Sequence, residues 1–354
     1  MTTTPLRVAV DTGPLYGHRT GVAVAVDGML TALTNRDDID LAPYLVSFRS
    51  TPNPGHRRLP LPGIVASHLW SHLDHPRADR WLGDVEVVHG TNYVAPPTRR
   101  PTVISVYDCW FLTHPELASP VVRRAGARLR RAAAQGAWVH ASSEATAGTA
   151  RELLDTDRVV SIHLGPPPVH SADREQATPS TAQSFADRPF VVAIGTEERR
   201  KALPVLTQAF GQLAGNDRDT LLVLAGARGD DSDQISAAIE TLPAPIRERV
   251  HRLGPIDDET KHWLVRHASA LAYPSVDEGF GFPILEAQAA GTPVVASRAG
   301  SIPEVAGDAA VLVDDQDSEA FADGLRRVLD GGVDLLGLIE SGYRNVGRFS
   351  WGAT

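Results

Sequence analysis

Short apolar runs rich in β-branched residues alternate with longer helical stretches along nearly the whole chain, and this alternation is what most limits the fold. In the first half the pattern predicts strands at Arg7–Val10, Leu41–Phe48, Val85–His89, Val103–Tyr107, Trp138–Ala141 and Val159–Leu164. Helical patterns cover Val22–Leu33, Val121–Ala134 and Ala145–Leu154. Several of the apolar runs are continuous, as in strands buried on both faces of a parallel sheet. Strand and helix in alternation predict a doubly wound α/β layer. From Pro166 to Arg188 the pattern stops, in PPPVHSADREQATPSTAQSFADR, which has no apolar period. Such a stretch reads as a linker. A second alternation follows, with strands at Phe190–Ile194, Leu221–Leu224, Val250–Leu253, Ala270–Tyr273, Pro293–Ala296 and Ala310–Val313, and closing helices at Ser318–Leu329 and Leu335–Val346. The reading is an α/β chain of two Rossmann-like domains, 1–170 and 189–354, with a linker over 171–188. Ligands of open α/β sheets bind outside the carboxyl ends of the strands. Functional residues are therefore expected in loops after strands, on both sides of a cleft between the halves.

Composition narrows the function. Lys and Arg number 34 against 43 Asp and Glu, a net charge of −9, which argues against a nucleic-acid partner. The single cysteine, Cys109, excludes an internal disulfide framework and a multi-cysteine zinc site. The first residues, MTTTPLRVAVDTG, lack the apolar core of a signal peptide, and no run approaches the roughly 18 apolar residues of a membrane span. A cytoplasmic protein is expected.

The most informative segment is PSVDEGFGFPILEAQAAG, from Pro274 to Gly291. A strand ends at Tyr273, a loop with Gly279 and Gly281 follows, Pro283 opens a helix and Gly291 closes it. The helix start offers unpaired N–H groups and a positive dipole end to an anion. Glycines before it let a ligand approach the backbone. Glu278 in the loop and Glu286 in the first turn or so of the helix can accept hydrogen bonds from two neighbouring polyhydroxyl groups. A nucleotide sugar offers that pattern. A plain helix start with an N-cap carboxylate and one surface glutamate reads equally from local physics.

The segment resembles the donor-site signature of family four glycosyltransferases, E-x-x-x-x-x-x-x-E, in its EGFG-P-x-x-E form. The resemblance extends along both halves. It includes VAVDTGPLYGHRTGVAVAV with Gly21, HGTNYVAPP, VISVYDCWFLTHPE, HASSEAT, FVVAIGTEERRKALPVLTQAF, GTPVVASRAGSIPEVAGDAAVLVDDQD and RFSWGAT. It implies the GT-B fold and retaining transfer from a nucleoside-diphosphate sugar, with no cofactor and no essential metal. The donor belongs mainly to the C-terminal domain and the acceptor, a saccharide or lipid-linked glycan, to the N-terminal one. Carried over, Glu278 contacts donor-sugar hydroxyls, Glu286 the ribose, and Lys201 with Arg200 the phosphates. Gly195 and the backbone of Gly279, Phe280 and Gly281 line the donor, and Gly21 lets phosphate or acceptor lie against backbone. The sugar is read as a hexose such as mannose or glucose.

Some positions depart from the family pattern. In GTEERRKAL, Arg199 replaces a proline and Ala202 an asparagine. Tyr107 stands where the family shows a histidine that contacts the reacting sugar; a phenol titrates near 10 rather than 6.5. Asp108 remains beside it, and His89 and His114 end matched strand motifs, so Tyr107, Asp108 and His89 are acceptor-side candidates. Only three residues follow Trp351, where the family has a helix returning to the N-terminal domain. Two other readings therefore stay open: a GT-B sugar-nucleotide epimerase, and a nucleotide-sugar-binding protein without turnover. The strings Asp155-Thr156-Asp157, Asp231-Ser232-Asp233 and Asp315-Gln316-Asp317 read as turn and helix-start caps rather than metal ligands. Arg124, Arg128 and Arg131 share a helical stripe, which reads either as a solvated face or as a basic surface for peripheral contact at the inner membrane face. Arg19 reads as an anion contact or a solvated side chain. Oligomeric state is not legible.

Overall fold

The computed structural model describes residues 4–17, 20–47, 52–167, 177–214, 219–314 and 316–354. Arg19, Asp315 and the first part of the expected linker, residues 171–176, lie outside them. The chain forms two compact units, Met1–Gly165 with Ser350–Thr354, and Pro166–Phe349.

In the first unit the elements run β1 Leu6–Asp11, α1 Gly21–Thr34, β2 Ile39–Val46, β3 Arg57–Leu59, α2 Gly63–His72, α3 Asp79–Leu82, β4 Val87–Gly90, β5 Thr102–Val106, α4 Trp110–Thr113, α5 Pro120–Ala134, β6 Trp138–Ala141, α6 Glu144–Leu154 and β7 Val159–Ser161. They build one seven-stranded sheet in the order β3-β2-β1-β4-β5-β6-β7, and every pairing is parallel. The chain moves outward from β1 to β3, then returns to the other side of β1 as β4. The switch point thus lies between β1 and β4, where ligands of such sheets bind.

The second unit runs β8 Phe190–Ile194, α7 Leu203–Ala214, β9 Leu221–Ala225, α8 Ser232–Glu240, α9 Ala244–Arg247, β10 Val250–Gly254, α10 Asp258–His267, β11 Ala270–Tyr273, α11 Phe282–Ala290, β12 Val294–Ser297, α12 Ile302–Ala306, β13 Val311–Val313, α13 Ser318–Leu329 and α14 Leu335–Val346. Its parallel sheet has the order β10-β9-β8-β11-β12-β13, and the switch point lies between β8 and β11. The strands FVVAI, LLVLA and ALAY are buried almost throughout. Their alternate side chains feed two apolar clusters, one around Phe210 and Phe321 and one around Phe190, Trp263 and Tyr273. This is why they read as continuous rather than alternating runs.

Three expectations are corrected. Ala182 and Phe185 are fully buried in the second cluster, so the end of the expected linker is part of the second unit's core. The boundary falls after Gly165 rather than at 170. The last five residues belong with the first unit, not with 189–354: Thr354 Oγ1 donates to the His163 carbonyl at 2.8 Å. The Trp351 ring fills the space where Cβ atoms at Gly28 and Gly165 would stand, 2.2 and 2.5 Å away.

The arginine stripe on α5 is also corrected. Arg128 is buried, and with Arg131 it binds Asp74 beyond the end of α2, at 3.2 Å and 2.8 Å. The Arg131 hydrogen bonds are the main force holding Asp74 down at about 2, and burial opposes them. Two of the three arginines therefore tie α5 to the chain after α2.

Candidate active site

At the second switch point, the loop after β8 carries the cations and the loop after β11 carries the carboxylate. Gly195 leaves β8 with φ 147°, packed under the Lys201 stem. A 3-10 turn over Arg199–Lys201 then aims Arg200 and Lys201 at Glu278. Lys201 Nζ ion-pairs with Glu278 Oε1 and donates to the Tyr273 hydroxyl at 3.2 Å. Arg200 NH1 donates to Glu278 Oε2 at 2.8 Å, and its Nε reaches Glu198 at 2.8 Å. The backbone joins the two loops as well, since Val276 N–H donates to the Arg200 carbonyl at 2.8 Å.

Both ions of the Lys201–Glu278 pair are buried. Burial alone would raise the Glu278 carboxyl, but the charges of Lys201 and Arg200 outweigh it and hold Glu278 at about 2. Burial pushes the Lys201 ammonium below the ordinary lysine range, and Glu278 opposes that. Lys201 and Arg200 share the buried Glu278, and Arg200 is paired with the more exposed Glu198 as well, so the strand ends carry a connected network of two cations and two carboxylates. Lys201 and Arg200 are thus held in an ion network rather than in solvent.

Neighbouring groups hold these loops in place. Gly300, at φ 50°, lies so close that a Cβ would come within 2.7 Å of the Glu278 carbonyl oxygen. Ser301 N–H donates to that carbonyl at 3.0 Å, and Ser301 Oγ to the Phe280 carbonyl at 3.1 Å. Glu197, buried beside the cation turn, takes Arg252 Nε and NH2 at 3.0 and 2.6 Å, and Ser232 at 2.5 Å. Phe280 packs between Phe282 and Phe349.

Helix α11 starts at Phe282, with Gly281 as N-cap at φ 103° and no side chain capping it, which removes the N-cap carboxylate reading. Pro283 is the second helical residue. Glu286 lies in the second turn, not the first, and Lys261 of α10 holds its carboxylate at 2.7 Å. Gly279, Phe280, Gly281 and Glu278 are thus brought together with Gly195, Arg200 and Lys201, while Glu286 sits one turn further along the helix. Gly21 belongs to the first unit, exposed at the first position of α1, with Thr20 as N-cap accepting from Ala23 N–H.

The acceptor-side candidates stand at the strand ends of the first unit. Burial pushes the Tyr107 hydroxyl above its ordinary value. Asp108 is engaged on both oxygens, by Trp110 N–H at 3.1 Å and by the Tyr93 hydroxyl at 3.1 Å, which fixes it just before α4. His89 begins a buried relay. Because the Ile162 carbonyl can only accept, His140 carries its proton on Nε2, 3.0 Å away. His140 Nδ1 then accepts from Ser105 at 3.0 Å, and Ser105 accepts from His89 Nε2–H at 2.8 Å. Both imidazoles are neutral; burial, with the neighbouring His140, pushes His89 down to about 3. Cys109, next to Asp108, is buried.

Asp317 caps α13 by accepting from Glu319 and Ala320 N–H. Asp155 closes α6 in the left-handed region. Among the described residues, no group of three His, Cys, Asp or Glu side chains is placed to hold a metal ion.

Residues 176–344 match the family model described as glycosyl transferases group 1. The chain is 30% identical to O-antigen chain mannosyltransferase B of Escherichia coli, over 79% of this chain and 75% of that protein. The chain belongs to the group 1 glycosyl transferases. Sucrose-phosphate synthase from Thermosynechococcus elongatus superposes with a TM-score of 0.71 at 20% identity, over 98% of this chain and 96% of that one. The Anabaena protein HepE in complex with UDP and glucose gives 0.68 at 18% identity, over 98% and 96%. The fold is GT-B, and the chain is a hexosyltransferase; the epimerase and non-catalytic readings are not favoured. No described helix is long and apolar enough to cross a membrane.

Sequence reasoning missed Tyr273, Lys261, Ser301 and the Glu197–Arg252 pair. Only Tyr273 carried a local signal, as the last residue of a strand. The others act across elements distant in sequence.

Proposed function

We propose that this glycosyltransferase moves mannose or glucose from a nucleoside-diphosphate sugar to a saccharide or lipid-linked glycan, with retention at the anomeric carbon. The observation that carries the reading is the meeting of Lys201 and Arg200 on the buried Glu278 at the switch point of the second unit. A diphosphate draws on both cations, and the Glu278 carboxylate then turns toward hydroxyls of the donor sugar. Gly195 and the backbone of Gly279, Phe280 and Gly281 line the sugar and phosphate, and Glu286 takes the ribose from a position fixed by Lys261.

The bond from C1 to the diphosphate breaks and the acceptor oxygen bonds C1 on the same face. The acceptor proton passes to the leaving phosphate oxygen. Lys201 and Arg200 stabilise the charge that develops there, so the scheme needs no metal, no cofactor and no carboxylate nucleophile. The name of the Escherichia coli relative favours mannose, and the ligands of HepE favour a nucleotide-linked hexose. Gly21 and Tyr107 serve the acceptor side, while Asp108 and His89 hold that side in shape. Where the acceptor is lipid-linked, membrane contact belongs to the exposed Val121 and Val122 at the start of α5, not to the Arg128–Arg131 stripe.

The test is release of nucleoside diphosphate from GDP-mannose and UDP-glucose with a panel of glycan acceptors, followed by product analysis. Acceptor-dependent release with a new α-glycoside supports transfer. An altered donor sugar without acceptor indicates epimerisation, and binding without release indicates a non-catalytic protein.

A further inference from the structure

The switch point of the first unit is occupied by a residue with no role so far. Asp11 ends β1, its register partner on β2 is Tyr44, and the preceding Val10 pairs with His89 of β4. Protein atoms crowd Asp11, yet it keeps an accessible edge. Its Oδ1 accepts from Gly13 N–H at 2.9 Å. No donor among the described residues is recorded for Oδ2.

The surroundings are rigid. Thr91 Oγ1, from the loop after β4, donates to the Asp11 carbonyl at 2.7 Å. Thr12 Oγ1 donates to the Tyr44 carbonyl at 2.9 Å and lies 3.2 Å from His56 Nδ1. Tyr44 is fully buried, and its hydroxyl has no partner among the described residues. Among the described residues no cation pairs with Asp11, in contrast with Glu278. A half-satisfied carboxylate fixed at the ligand-binding end of a parallel sheet is suited to a neutral partner rich in hydroxyl donors.

We propose that Asp11 binds a hydroxyl of the acceptor sugar through its second carboxylate oxygen, Oδ2, and so helps select a polyol acceptor. The assignment deepens the transferase reading and rests on it for the word acceptor. Burial raises the Asp11 carboxyl to about 6, with the Gly13 hydrogen bond opposing. The ionised form accepts sugar hydroxyls more strongly than the protonated form. Affinity for the sugar therefore rises as pH passes upward through that value. The other titratable groups facing this corner are Tyr44 from β2, Tyr107 after β5, His56 beside Thr12, and His89 with His140 behind it. Burial raises both tyrosines and lowers the three histidines.

The experiment is saturation-transfer NMR of the full chain, without nucleotide, using the methyl α-glycosides of mannose, glucose and galactose at pH 5 and pH 7. Wild type should bind at least one glycoside, more tightly at pH 7. Asp11→Ala should weaken it at least about tenfold. Asp11→Asn should keep part of the affinity and lose the pH dependence. GDP and UDP affinity of both variants, by calorimetry, should match wild type, which shows that the second unit is intact. Equal glycoside binding in wild type and both variants overturns the proposal, as does the absence of binding by wild type to every glycoside. Loss of nucleotide binding by wild type instead strikes the donor reading and leaves the glycoside result to decide Asp11.

Discussion

The two units use the same device, a parallel sheet whose strand order reverses, and place opposite chemistry at it. At the second switch point every charge is ionised and shared, with Glu278 held at about 2 between Lys201 and Arg200. At the first, the imidazoles of His89 and His140 are neutral, the Asp11 carboxyl is raised to about 6 and the hydroxyls of Tyr44 and Tyr107 are pushed up. On the roles proposed for them, the second switch point suits a polyanion and the first uncharged hydroxyls. The topology is shared, so the difference comes from the side chains at the strand ends and in the loops that follow them, which is why fold does not fix function.

The contrast breaks first at Lys201. Lys201→Ala should cost at least about 100-fold in kcat, measured as nucleoside diphosphate release; a change within two- or threefold would remove the diphosphate role. Next is Glu278→Gln, which leaves two cations facing a neutral amide. Removing one partner of a buried pair costs about 3 kcal/mol, readable as a lower urea midpoint. Because the folded Glu278 carboxyl is depressed, its contribution is complete above the ordinary glutamate value and is lost as pH falls from there toward 2. An unchanged midpoint for Glu278→Gln at pH 7 would show the pair to be energetically idle.

The first unit should respond to acid through His89. This histidine is neutral when folded and takes up a proton more readily when unfolded. Its stabilisation is present above about 6.5 and is lost as pH falls toward 3. Asp11 has the opposite sign, since its raised value disfavours folding above the ordinary aspartate range and that penalty is relieved as pH falls through about 6. His89→Gln should therefore flatten the unfolding midpoint between pH 6.5 and 4. The same slope in variant and wild type would mean that the relay does not titrate on unfolding.

The smallest expected effect is at Ala202, which sits in the left-handed region at φ 45° just after the cation turn. A β-carbon is disfavoured there. Ala202→Gly should raise stability by about 0.5 kcal/mol, the relief of strain exceeding the entropy glycine adds to the unfolded chain. A lower melting temperature for the variant would refute it.

Much of this was legible in the chain. Phe190–Ile194, Ala270–Tyr273, Ser318–Leu329 and Leu335–Val346 match the structure end to end, because long periodic or continuous apolar patterns carry their own boundaries. The short strand Arg57–Leu59 was missed, since two of its three residues are arginines and only pairing with β2 makes it a strand. Glu278, Lys201 and Arg200 could be picked out, but that they bind one another could not: residue types do not reveal that one carboxylate serves two cations from a loop about 78 residues away. The arginine stripe on α5 looked uniform, and only the position of Asp74 divides it into structural and exposed parts. Asp11 passed unnoticed inside VAVDTG because a strand-end aspartate is an ordinary turn signal; its crowded setting, with no cation partner among the described residues, distinguishes it.

The central claim is that the second switch point holds a nucleotide sugar on Lys201 and Arg200. A denaturation series of wild type and Lys201→Ala with GDP-, UDP- and ADP-sugars tests it most directly. One nucleotide sugar, at 100 times its Kd, should stabilise wild type by about 2.7 kcal/mol and stabilise Lys201→Ala far less at the same concentration. A flat response of wild type to all three classes, or equal stabilisation of the variant, would contradict the account.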